Sequence, residues 1–160
     1  MLALFPLIKI RNAGSRILGR RYKKTDWEPS VPGSLSELSS FCREKIRYKA
    51  DPIRGLLDHI QPVKHMNWQL ENSGKIEGDC DDIATYVAYM LKRMGYKHVY
   101  RVNIVRHKHV ICVFRDGSEY RYFSNQYLRH GMFNSIRETV DRWCKSKDYK
   151  PTKLYYAERL

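Results

Sequence analysis

The spacing of apolar residues changes from helical to strand-like along the chain, and each change marks an element. In "SLSELSSFCREKIRY", Leu35, Leu38, Phe41, Cys42 and Ile46 recur at helical spacing, and Ser34 with Glu37 forms a capping-box signature. A helix with one buried face is predicted. "DPIRGLLDHI" predicts a second, short helix, with Asp51 as cap and Pro52 in its first turn, followed by a looser stretch containing Pro62 and Trp68. In "EGDCDDIATYVAYMLKRMG", Ile83, Ala84, Val87, Leu91 and Met94 continue the stripe begun by Cys80, and Gly95 ends it. The period then drops to two. "HVYRVNIVR", "HVICVFR" and "EYRYF" predict an antiparallel meander that turns at Asp116-Gly117 between its last two strands. "NSIRETVDRWC" places Ile136, Val140, Trp143 and Cys144 on one face of a closing helix capped by Asn134 or Ser135, and "KLYYAERL" reads as an edge strand.

Before Ser34 no such period exists. Residues 1–33 read as an arm with an apolar start, a basic middle and the hinge-like "DWEPSVPGS", and residues 34–160 as one domain. The 160 residues suffice for one core, and 42% apolar residues exclude wholesale disorder. The formal charge is +13, and Lys9, Arg11, Arg16, Arg20, Arg21, Lys23 and Lys24 all precede the first acid, Asp26. Such an arm suits an acidic protein surface or nucleic acid. "MLALFPLI" lacks the charged flank and cleavage pattern of a signal peptide and is too short to span a bilayer, so a cytoplasmic protein is expected. Cys42, Cys80, Cys112 and Cys144 are far apart and lack a C-x-x-C pair, which favours thiols over a disulfide framework and argues against structural zinc. No cofactor is implied.

Candidate chemistry centres on Cys80. A helix start supplies unpaired N–H groups and positive dipole, which favour a thiolate, whereas Asp79, Asp81 and Asp82 oppose one. Helix capping accounts for these acids and leaves Cys80 as filler unless another element delivers an imidazole. His109 heads "HVICVF", where alternation puts it on the face of Ile111 and Val113, with Val110, Cys112 and Phe114 on the other. His107 shares that parity but falls in the preceding turn.

"GDCDD" opening an amphipathic helix, followed by "HVICVF" and a short strand ending in a polar residue, resembles the transglutaminase-like cysteine proteinases, including their bacterial and bacteriophage branch. "IRYKADPIRGLLDHIQ" and the tryptophan of "NWQLENSGKIEGDC" extend the resemblance over roughly residues 40 to 128. It implies an α+β, papain-like core with the nucleophile helix packed on a small antiparallel sheet. It also implies Cys80 as nucleophile and His109 as general base. The family's triad aspartate is missing from "YRYFSNQ", so Asn125 is expected as third member, with Ser124 one register away. Trp68 or Gln69 are candidates to border substrate or oxyanion. Asp79 and Asp81 match positions that bind calcium in some members, although capping accounts for them without a metal. The implied activity is acyl transfer on a protein or peptide. The competing reading is a non-catalytic assembly protein, such as a phage virion component, docked through its basic arm in a larger particle or in the host cytoplasm.

Overall fold

In a computed structural model, residues 22–50 and 60–160 are described. The short helix expected over 51–60 falls almost wholly outside them, as do Lys9, Arg11, Arg16, Arg20 and Arg21 of the arm. The architecture is mixed α+β with two sheets.

Helix α1 (Leu35–Lys45) starts at Ser34, whose hydroxyl accepts the Glu37 N–H at 3.2 Å. It buries Leu38 and Cys42, but Ile46 leaves the helix and begins β1 (Ile46–Tyr48). Ile46 is buried as predicted, but in a strand; β1 pairs parallel with β2 (Ile76–Gly78), Ile46 opposite Ile76. The stretch around Trp68, read as loose, is helix α2 (Val63–Ser73). Pro62 precedes it without a side-chain cap, and Asn67 interrupts its buried stripe of Met66 and Leu70. Tyr86 supplies what the stripe lacks, donating its O–H to Asn67 Oδ1 at 2.9 Å. Gly74 ends α2 with φ 70°, the left-handed cap that glycine adopts without steric cost.

Helix α3 (Cys80–Arg93) lies against a five-stranded sheet of order β6-β5-β4-β3-β7. Its strands are β3 (Val99–Ile104), β4 (His109–Asp116), β5 (Glu119–Ser124), β6 (Tyr127–Leu128) and β7 (Tyr155–Arg159), all antiparallel to their neighbours. The meander and the edge strand are as the alternation predicts. Helix α4 (Ile136–Lys145), capped by Ser135, covers the opposite face.

Two cores therefore flank β4. Val110, Cys112 and Phe114 join Ile83, Val87 and Leu91 of α3, together with Leu38, Cys42, Met66 and Leu70 from α1 and α2. Ile111 and Val113 join Val140, Trp143 and Cys144 of α4. The period of two in "HVICVF" decides which residues enter which core. Among the described residues no helix is long and apolar enough to cross a membrane.

Candidate active site

Asp79 opens α3 by accepting the N–H groups of Asp81 and Asp82 on Oδ1, at 3.2 and 3.4 Å. Asp82 reciprocates, its Oδ2 accepting the Asp79 N–H at 3.3 Å, which completes a capping box. Cys80 is the first residue of this helix and only partly buried. Cys42, Cys112 and Cys144 are fully buried, and burial alone pushes the Cys42 thiol up to about 12. Of the four, Cys80 is the sulfur best placed to meet a reagent.

The turn is held by a residue that sequence reasoning missed. Gln61 donates its backbone N–H to Asp82 Oδ1 at 2.7 Å and its side-chain amide to Asp82 Oδ2 at 2.6 Å. The same amide donates to the Glu77 carbonyl at 3.0 Å. Burial nevertheless pushes the Asp82 carboxyl up to about 6, against the pull of the Gln61 donors. A Cβ on Gly78 would stand 2.6 Å from Asp82 Cβ, so the glycine of "GDCDD" is where the strand must make room for this carboxylate. Asp79, Asp81 and Asp82 offer oxygens within 4.8 Å of one another. Capping and the Gln61 bonds account for Asp79 and Asp82 without an ion, as the capping alternative anticipates.

His109 lies at the other end of the geometry. It pairs with Ile104 at the start of β4, and its ring stacks on Trp143 with centroids 4.7 Å apart and planes inclined by 11°. Its Nε2 is 3.0 Å from Ser124 Oγ, and the Trp143 indole donates to the same oxygen at 3.2 Å. Ser124 stands opposite Ile111 and is buried. Burial under the indole, reinforced by the charges of Lys147 and Arg129, pushes the imidazole down to about 4. His109 is thus neutral at physiological pH.

The structure brings His109 together with Ser124, the residue one register from the expected Asn125. Asn125 occupies the turn after β5 with φ 50°, and its buried Oδ1 makes no hydrogen bond. The β4–β5 register decides between them, because only alternate residues of β5 share the His109 face. Trp143 was legible as a core residue, but its indole donor was not assigned a partner. A buried tryptophan N–H usually has one. His107 ends a short 3-10 turn (Val105–His107) and stacks on Tyr149 at 4.2 Å. Cys80 packs against the α3-side core, whereas the His109 ring belongs with Trp143 of the α4 side.

Trp68 and Gln69 are both engaged by the chain itself. Lys23 Nζ lies 4.5 Å from the Trp68 ring centroid, so this arm cation already has a partner, and both Lys23 and Lys24 are exposed. Gln69 donates to Gln61 Oε1 at 2.9 Å and accepts the Glu77 N–H at 2.9 Å. It therefore braces the residue that holds Asp82. Compared with known proteins, the chain matches no family model and no curated sequence.

Proposed function

We propose that the protein is a cysteine-dependent acyl-transfer enzyme with a transglutaminase-like core. Cys80 is the nucleophile, His109 its base, and Ser124, in place of Asn125, orients the imidazole. The observation that carries this reading is the Ser124 contact with His109 Nε2 beneath the Trp143 indole. With Nε2 committed to Ser124, proton exchange falls to Nδ1. The sulfur attacks an amide carbonyl as its proton passes to Nδ1, and collapse of the adduct releases the amine, which takes that proton. The first step requires the Cys80 thiol, packed on the α3-side core, to come within hydrogen-bond reach of the ring stacked on Trp143. Water or a second amine then attacks the thioester and regenerates the thiol. The Cys80 backbone N–H, at the first position of the helix, supplies one oxyanion donor.

The second reading, a non-catalytic assembly protein, is favoured by a specific observation. A base with a pKa of about 4 is weaker than proton transfer at neutral pH prefers, and the acids at Asp79 and Asp82 disfavour a thiolate.

Acylation of Cys80 by an activated ester, followed by intact-mass spectrometry across pH, separates the two. Under the catalytic reading the rate climbs through the His109 transition and is flat near neutrality. His109→Ala then lowers it by about 100-fold or more and restores a rise through the ordinary thiol range near about 8.5. A wild-type profile that already follows an ordinary thiol would leave the assembly reading in its place.

A further inference from the structure

Residues 22–29, between the basic arm and α1, run across α2 and reach α3. Tyr22 packs on His65 at 4.7 Å, Asp26 pairs with Lys64 at 2.6 Å, and Arg93 donates to the Pro29 carbonyl at 2.8 Å and pairs with Glu28. One contact continues inward. His65 Nδ1 is 3.1 Å from the Lys23 carbonyl, and His65 Nε2 is 3.2 Å from Gln69 Nε2.

The direction of every hydrogen in this chain is determined. Gln69 must present its oxygen to the Glu77 N–H, so the atom facing His65 is its NH2 group, a donor only. His65 Nε2 must then accept, and Nδ1 carries the hydrogen that goes to Lys23. The other Gln69 hydrogen goes to Gln61 Oε1, and Gln61 holds Asp82 through two N–H bonds. Burial holds the His65 imidazole below its ordinary value, consistent with the neutral ring this arrangement demands. Both amide side chains have their oxygens and both hydrogens engaged, so displacing one member leaves the next without its partner.

We propose that Gln61 and Gln69 are positioning residues for the turn that bears Cys80, and that His65 couples this turn to the docked segment Tyr22–Pro29. The segment acts as an intramolecular clamp whose release loosens the first turn of α3. The consequence for catalysis rests on the reading of Cys80 as nucleophile, but the coupling itself does not.

The test uses the full chain with His65→Phe, which keeps a ring between Tyr22 and Trp68 but loses both hydrogen bonds, and Gln69→Leu, which cuts the chain one step further in. Amide hydrogen exchange is read at Asp81, Asp82 and Ile83, and the Asp82 carboxyl is titrated by its carbon shift. Each variant is expected to speed exchange of the turn several-fold and move the Asp82 midpoint upward, because Gln61 no longer holds its donors in place. The double variant should do no more than Gln69→Leu alone. Exchange and midpoint unchanged in His65→Phe, or effects that add fully in the double variant, would overturn the coupling. Because His65 lies partly exposed, that variant remains informative should Gln69→Leu not fold. A wild-type acylation profile that follows an ordinary thiol would remove the catalytic reading and leave the coupling intact. Unchanged exchange would do the reverse.

Discussion

The turn at Cys80 and the pocket around His109 surround their key side chains with opposite chemistry. At the turn, carboxylates gather around backbone and amide N–H donors, and the negative charge of Asp79 and Asp82 opposes loss of the thiol proton. Around His109 the surroundings are aromatic and cationic, and both burial and the charges of Lys147 and Arg129 oppose gain of a proton. A thiolate–imidazolium pair is therefore disfavoured from both sides. A neutral imidazole is the resting form that the His109 pocket favours.

The largest test of this contrast is Trp143→Ala. It removes a buried aromatic, the stack on His109 and the donor to Ser124, and it should cost about 3–5 kcal/mol in urea unfolding. Amide exchange in the first turn of α3 should change little below that global limit, since Trp143 belongs to the other core. Equal loosening of both regions would show that the two sides of the sheet are not energetically separate.

A second test exploits their opposite titrations. The native His109 pKa is depressed from 6.5 to about 4, so its contribution is fully present above 6.5 and is lost as pH falls toward 4. At about 1.4 kcal/mol per unit, that loss approaches about 3 kcal/mol. The native Asp82 pKa is raised from 3.8 to about 6, so its contribution is fully present below 3.8 and is lost as pH rises through 6. The magnitude is again about 3 kcal/mol, with the opposite sign in nearly the same window. Relative to the wild type, His109→Gln should therefore gain stability as pH falls from 6.5 to 4, and Asp82→Asn should lose it there. Urea midpoints across pH decide the matter; identical slopes in the two variants would contradict the assignment.

The smallest expected effect is that of Asp79→Ala. Losing the cap should cost about 1 kcal/mol in thermal unfolding, while removal of its charge lets the Asp82 carboxyl fall back toward its ordinary range. His109 should titrate unchanged in the same variant, which sharpens the contrast between an acidic turn and a separate imidazole pocket.

Local pattern determined much of the architecture. Period and caps in the sequence set α1, α3, α4 and the four strands from β3 to β5 and β7, because each of these elements carries its own signal of alternation, stripe or capping residue. The same rules placed Cys80 at a helix start and His109 at a strand start with the right parity. Helix α2 escaped them because Asn67 breaks its apolar stripe, and the group that satisfies Asn67 is the hydroxyl of Tyr86, on another helix. Ser124 against Asn125 was likewise a question of register between two strands, and Gln61 carries no local signal at all. Which residue contacts His109, and which amide holds Asp82, depends on partners distant in sequence. Hydrogen-bond satisfaction across separate elements is a property of the assembled fold, so only the tertiary structure could decide it.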